Sequence, residues 1–140
     1  MEKSLEQLDD DRDKIYQQMT AVGDFRPGII SVNFRKCGKR NCVCSQPDHP
    51  GHGPQYLWNT TQNGKSRAQN LRLGPELEKT RKEIVNYKKF TELCQEAIRV
   101  NEKLCRLRPV PRIEDEKDLD TLKKKLRRKF SRKRRKKSKA

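Results

Sequence analysis

Three of the five cysteines and both histidines of the chain lie in the short segment CGKRNCVCSQPDHPGHGPQYLW. Thiolate and imidazole are the ligands that zinc prefers, and a structural zinc site takes all four of its ligands from the protein. The five candidate ligands are Cys37, Cys42, Cys44, His49 and His52. Because only four positions are needed, one candidate is spare, and the spacing leaves open which one. The segment therefore predicts a structural zinc ion as cofactor.

Other chemistries explain this segment less well. An ordinary loop does not account for cysteines gathered in a polar stretch rich in glycine and proline. The sequence contains no C-x-x-C pair for redox chemistry, and an iron–sulfur cluster usually takes four thiolates where only three are local. A catalytic zinc needs an open position and a general base, and Asp48 is the only acid in the cluster. We expect no enzymatic activity.

A hairpin is predicted to hold these residues in place. Apolar and polar residues alternate over positions 30–35, which predicts a half-buried strand whose inner face carries Ile30, Val32 and Phe34. The dipeptide Asn63-Gly64 between two extended runs is a strong hairpin signal, because both turn residues need positive φ. This turn predicts the cross-strand pairs Trp58–Gln69 and Tyr56–Leu71. A lone hairpin is marginal, so the first strand is expected to join it.

Two long helices are predicted beside the hairpin. Apolar residues recur every three or four positions from Leu5 to Val22, and a second stripe runs from Pro75 to about Leu107. The second helix would be roughly 45–50 Å long, which is too long to lie across so small a sheet. The first helix is expected to cover its far half, and dimerisation is the other way to cover it. Cys94 and Cys105 lie on this stripe and are interpreted as core residues, with a remote fourth metal ligand as the alternative.

The predicted fold class is α+β: a small zinc-stapled antiparallel β-hairpin or three-stranded sheet, two long helices forming an antiparallel coiled-coil-like arm, and a disordered or helical basic tail. The predicted division is an N-terminal amphipathic helix (1–23), a core domain with the zinc-binding hairpin and the long helix (24–108), an acidic linker (109–121) and the basic tail (122–140). Asp120 is the predicted cap of a short basic helix.

Positive charge is concentrated in the tail. The chain has 35 basic and 19 acidic residues, and thirteen of the basic residues but no acidic one lie beyond position 122. Such a run favours a polyanion, and nucleic acid is the commonest one in the cytosol, although the run is also somewhat amphipathic and could lie on a membrane surface. No run approaches the length of a membrane span and no secretory signal is evident. A cytoplasmic, nucleoid-associated protein is expected.

Twenty residues are predicted to contact nucleic acid, with DNA favoured over RNA. Beside the candidate ligands they are Arg35, Lys36, Lys39 and Arg40. At the hairpin turn they are Gln62, Asn63, Lys65 and Arg67, side chains that can read base edges. In the tail they are Lys123, Lys124, Lys125, Arg127, Arg128, Lys129, Arg132, Lys133, Arg134, Arg135, Lys136 and Lys137.

The same motifs resemble those of a known family. The pattern C-G-K-x-N-C-x-C, the element H-G-P and the runs LGPELEK and IVNYKKF are similar to those of a domain-of-unknown-function family of small prokaryotic proteins associated with transposable elements, over about residues 21–107. The resemblance implies that Cys37, Cys42, Cys44 and His52 are the metal ligands, with His49 as the alternative ligand. It also implies a mobile-element context, with a transposase or recombinase as a partner.

Together these observations predict a non-enzymatic, zinc-stabilised nucleic-acid-binding accessory protein that is linked to a transposon or another mobile element. The alternative is a protein–protein adaptor that docks or dimerises through its helical arm, for example on a transposase.

Overall fold

The computed structural model of the chain describes residues 2–138, with side chains described up to residue 131. In chain order the elements are α1 (Leu5–Ala21), β1 (Ile29–Arg35), β2 (His52–Gln62), β3 (Lys65–Leu71), α2 (Pro75–Leu107) and α3 (Glu116–Ser138). A short 3-10 helix, Val43–Ser45, lies in the loop between β1 and β2. The predicted α+β class is confirmed. No described helix is both long and apolar enough to span a membrane.

The three strands form one antiparallel sheet in the order β1-β2-β3. The β2–β3 register is the predicted one, with Trp58 opposite Gln69 and Tyr56 opposite Leu71. The strand β1 joins this hairpin as the third strand, as expected. The prediction that Ile30, Val32 and Phe34 form the buried face of this strand is wrong for Val32 and Phe34, which are 54% and 49% exposed. Both side chains lie on an edge strand that has a neighbouring strand on one side only.

The helices α1 and α2 form the predicted antiparallel arm. A capping box between Ser4 and Gln7 starts α1. Arg12, in the middle of α1, donates a hydrogen bond to Asn101, six residues before the end of α2. The core of the arm consists of Ile15, Leu93 and Ala97, with Met19, Val22 and Val100 packed against it. Leu8 and Leu104 are also buried, at 3% and 1% exposure.

A polar and aromatic joint connects the sheet to α2. The guanidinium of Arg26 lies 4.7 Å from the centre of the Trp58 ring. Its Nη2 is 2.9 Å from Oε1 of Glu83, which also accepts a hydrogen bond from Lys79 through Oε2. The indole of Trp58 donates to the carbonyl of Pro27 at 2.7 Å. The joint therefore relies on charge pairing and aromatic contacts, among them Phe25 stacked on Phe90 of α2 with ring centres 4.7 Å apart.

The helix α3 begins earlier than predicted. Asp115 accepts a hydrogen bond from the backbone N–H of Lys117 at 2.9 Å and so caps the helix. The assignment of Asp120 as the cap is wrong, because the acidic residues of the predicted linker form the first turn, where they complement the helix dipole. The helix continues through the predicted linker–tail boundary at residue 122. Residues 1–107 and 108–140 form two separate compact units.

Candidate metal centre and basic surfaces

The loop between β1 and β2 carries the candidate metal ligands and is closed by a narrow neck. Arg35 at the end of β1 lies opposite His52 at the start of β2. Gly51 lies at the neck with φ 108°, and a Cβ there would come within 2.7 Å of the Arg35 carbonyl carbon. Only glycine fits this position, because any side chain would clash and φ is in the left-handed region. Sequence analysis missed Gly51, although glycine directly before a candidate ligand is a usable signal.

Hydrogen bonds within the loop hold the segment that carries Cys42 and Cys44. The backbone N–H of Cys42 donates to the carbonyl of Lys39, and Cys42 precedes the short 3-10 helix. The hydroxyl of Ser45 donates to the carbonyls of Arg40 and Cys42. These bonds turn the chain so that Cys44, only 1% exposed, points into the loop. Ser45 is a second residue that the sequence analysis did not single out.

Four side chains converge inside this loop: Cys37, Cys42, Cys44 and His52, whose ligand atoms all lie within 4.8 Å of one another. The sulfurs of Cys37 and Cys44 are 3.4 Å apart, and the sulfur of Cys42 is 3.1 Å from Nε2 of His52. Sulfur and nitrogen ligands of a tetrahedral zinc ion lie about 3.5–3.8 Å apart. The four atoms therefore have the chemistry and nearly the spacing needed to hold one metal ion.

The electrostatics of the loop favour a thiolate at Cys37. Its pKa is lowered to about 6, first because the backbone N–H of Lys39 donates to the sulfur, and then through hydrogen bonds from His52 and Cys44. The backbone N–H of Cys37 alone would lower the pKa of Cys44, but burial and the neighbouring sulfurs of Cys37 and Cys42 outweigh it and raise that pKa. Crowded thiolates of this kind are stabilised when a cation binds among them.

His49 does not join this group. Its Nδ1 accepts a hydrogen bond from the backbone N–H of Gly51 at 3.0 Å. Its ring centre is 6.5 Å from that of His52. The geometry therefore gives His49 a role in shaping the neck of the loop and leaves the four-residue set without it.

The other two cysteines lie on the arm, away from these four. The prediction that both are core residues is wrong for Cys105, which is exposed, whereas Cys94 is half-buried. The cause is that α1 covers only part of the apolar stripe on α2. Ile98, on the same stripe, is 57% exposed for the same reason.

The predicted nucleic-acid contacts of the sheet fall into two groups that the structure does not bring together. Arg35, Lys36, Lys39 and Arg40 precede or alternate with the candidate ligands in the β1–β2 region, and Lys36 donates to the carbonyl of Gln46. Gln62, Asn63, Lys65 and Arg67 lie at the hairpin turn. The eleven-residue strand β2 separates the groups by roughly 30 Å. All eight residues are exposed, so the sheet offers two distinct polar ends.

The remaining predicted contacts lie on α3. The described side chains are exposed, namely Lys123, Lys124, Lys125, Arg127, Arg128 and Lys129. Arg132, Lys133, Arg134, Arg135, Lys136 and Lys137 continue the same helix, but their side chains lie outside the described ones.

Comparison with known proteins assigns the chain to a family. No curated protein and no solved structure matches the chain. The family model described as a domain of unknown function (DUF6788) matches residues 5–83, which is more than half of the chain and includes α1, the sheet and the candidate metal centre. The protein therefore belongs to this domain-of-unknown-function family.

Proposed function

We propose that the protein is a non-enzymatic, zinc-stabilised nucleic-acid-binding accessory protein, acting in the cytoplasm on the DNA of a transposon or another mobile element. The observation that carries the proposal is the separation of charge along the chain. All thirteen cations beyond residue 122 fall on or directly after one continuous helix, with no acid among them.

The helix α3 has suitable dimensions for a nucleic-acid groove. Its basic part, residues 123–138, is about 24 Å long at 1.5 Å per residue. An α-helix fits the major groove of duplex DNA, whereas the deep and narrow major groove of RNA excludes side chains. This difference favours DNA. The acidic first turn would be repelled by phosphate, which favours contact through the C-terminal part of the helix.

The cysteine and histidine cluster has a structural role in this proposal. Three thiolates and one imidazole match the ligand preference of zinc, and with four protein ligands no open position remains for a substrate. A bound zinc ion would neutralise the clustered thiolates and hold β1 to β2. The proposal of a non-enzymatic protein rests on this closed ligand set.

The mobile-element context is supported by the resemblance of the cysteine and H-G-P motifs to a family associated with transposable elements. A transposase or recombinase is accordingly the proposed partner on the same DNA.

Salt dependence of DNA binding tests the proposal. In the full-length, zinc-loaded chain, six exposed cations of α3 are changed to glutamine: Lys123, Lys124, Lys125, Arg127, Arg128 and Lys129. Each lost phosphate contact should reduce the slope of log affinity against log salt by about 0.9. Affinity should fall for all DNA sequences alike, since phosphate contacts carry no base information.

Matched controls separate α3 from the sheet. One variant replaces the four cations around the metal loop, and another replaces Lys65 and Arg67 at the hairpin. If the hairpin reads bases, its variant loses discrimination between sequences with little change in slope. An unchanged slope after the α3 substitutions would contradict the proposal, because the helix would then not be the phosphate-binding element.

A second candidate function is supported by a groove on the arm. A cavity of about 720 Å³ lies along α1 and α2 and is lined by Tyr16, Met19, Cys94, Ala97 and Ile98, among others. Tyr16 is 45% exposed and Ile98 is 57% exposed. An amphipathic helix of a partner protein, or of a second copy, would fit such a groove. In this reading the protein is an adaptor, and Ile98→Asp should abolish partner binding without changing the salt slope.

A further inference from the structure

The sheet has two exposed edges that differ in charge. One edge is β3, which carries Lys65 and Arg67, and charged residues of this kind keep an edge strand from pairing with another chain. The other edge is β1, which has no charged residue from Ile29 to Phe34. Its composition of isoleucine, valine and phenylalanine strongly favours strand pairing. The β1 edge therefore lacks the protection that the β3 edge has.

The β1 edge also has unused bonding capacity. Its neighbouring strand is β2, and in an antiparallel ladder alternate residues direct their backbone groups away from that neighbour. Within residues 2–138, the backbone of positions 29–33 makes no hydrogen bond outside the sheet. The side chains of Ile29 and Val32 are 65% and 54% exposed. The edge thus presents free donors and acceptors beside uncovered apolar side chains.

We propose that β1 pairs antiparallel with β1 of a second copy of this chain, which joins the two sheets into one six-stranded sheet. The register is irregular between Asn33 and Arg35, so the regular run ends at Asn33. Pairing is therefore centred on Ser31, the middle of the run 29–33. In this register Ile30 of each copy lies opposite Val32 of the other.

The pattern of β1 favours a second copy over an unrelated strand. Ile30 and Val32 share one face with Tyr56 and Trp58 of β2, so the symmetric pairing extends an existing apolar face. No charged residues are placed opposite each other within the run. Self-pairing of β3 would instead gather Lys65 and Arg67 from two copies in one short ladder, which is unfavourable. The interface is small, so a concentration-dependent dimer is expected.

Sedimentation velocity of the full-length, zinc-loaded, nuclease-treated protein tests the proposal. A monomer–dimer equilibrium is expected, and Val32→Lys should weaken it by about tenfold or more, because two apolar cross-strand pairs are lost and each is replaced by a charge. Ala68→Lys, an equivalent change at an exposed position of the β3 edge, should leave the dimer unchanged. Zinc content and far-UV circular dichroism of both variants show that they are folded.

Disulfide trapping tests the register. In a background that carries Cys94→Ser and Cys105→Ser, Ser31→Cys should cross-link under mild oxidation, since the two copies of this position face each other. Asn33→Cys is the control, because its two copies would lie roughly 13 Å apart, beyond disulfide reach. The proposal is overturned if the protein is monomeric at all concentrations, if Val32→Lys leaves the dimer intact, or if both cysteine variants cross-link equally. A dimer lost on Ile98→Asp but not on Val32→Lys would place the interface on the arm.

Discussion

The sheet and the helical arm differ in how much apolar surface each of them buries. In the arm, Leu8, Ile15, Leu93, Ala97 and Leu104 are all less than 9% exposed. In the sheet, Leu71 is the one buried aliphatic side chain among the described residues, whereas Val32 and Phe34 are about half exposed. A three-stranded sheet with so small a core is marginal on its own. The arm is therefore held together by apolar packing, and we expect the sheet to depend on metal binding at its cysteine and histidine cluster.

Removal of the metal should destabilise the protein more than any other change, and the sheet is the part that should lose its structure. Structural zinc contributes on the order of 10 kcal/mol to small metal-dependent folds. Cys44→Ser, or chelation of the wild-type protein, is expected to release zinc and unfold the β1–β2 loop. The single tryptophan, Trp58, reports this change by fluorescence, while far-UV circular dichroism should still show the helices of the arm. Cys94→Ser is the control and should retain zinc.

If the fluorescence of Trp58 is unchanged after complete metal removal, the expectation is wrong, because the sheet would then not depend mainly on the cluster. A simultaneous loss of helical signal would instead show that the sheet and the arm unfold as one unit.

Truncation of a buried side chain in the arm should have the next largest effect on stability. Leu104 is 1% exposed, and Leu104→Ala is expected to lower the free energy of unfolding by about 2–5 kcal/mol. Zinc content should not change, since the arm core is built from α1 and α2. Val85→Ala is the matched control on the same helix, because Val85 is exposed and its truncation should cost less than about 0.5 kcal/mol. Urea unfolding followed by circular dichroism measures both values.

The joint between the two regions should contribute less than either. Glu83 is buried between Lys79 and Arg26, and its pKa is lowered, first by the hydrogen bond from Lys79 and then by the charge of Arg26. Glu83→Gln is expected to cost about 1–3 kcal/mol at pH 7, since the charges of the two cations lose their partner. Glu78→Gln, which breaks an exposed pair with Arg81, should change the stability much less, because solvent screens that pair.

The difference in stability between the wild type and Glu83→Gln should depend on pH in a definite direction. A carboxylate whose pKa is lowered by folding stabilises the protein at pH values above its ordinary pKa of about 4.3, and this contribution is lost as the pH falls through the lowered value. The gap in stability between the wild type and Glu83→Gln should therefore close below about pH 4. A gap that is constant over pH 3–7 would show that the charge of Glu83 is not what stabilises the joint.

Local sequence signals predicted most of the fold. The dipeptide Asn63-Gly64 gave the strand register because its backbone geometry allows few alternatives, and the apolar spacing over residues 5–22 and 75–107 gave the two helices of the arm. The start of α3 was missed because acidic residues are typical both of a linker and of a first helical turn, and only the hydrogen bond from Lys117 to Asp115 separates these cases.

Exposure was harder to predict than secondary structure. Alternation along β1 and the stripe on α2 show which residues share a face, but not whether another element covers that face. Val32, Phe34 and Cys105 were expected to be buried and are exposed for this reason. The separation of the two basic groups along β2 depends on strand length and was likewise not visible from residue types. Residue types and close spacing, which are rare outside metal sites, predicted five candidate ligands, whereas the choice of His52 over His49 came from the family resemblance.

The smallest effect on zinc affinity is expected at His49, and a comparison with His52 tests the assignment of the metal ligands. His49 accepts one hydrogen bond, from Gly51, so His49→Ala should cost about 1 kcal/mol of stability and leave zinc affinity nearly unchanged. His52→Ala removes a proposed ligand and should lower zinc affinity by far more. Competition with a chromophoric chelator at pH 7 measures both affinities, with Asp48→Ala as a control for disturbance of the loop. If the two histidine variants lose affinity equally, His49 takes part in metal binding and the four-residue set is incorrect.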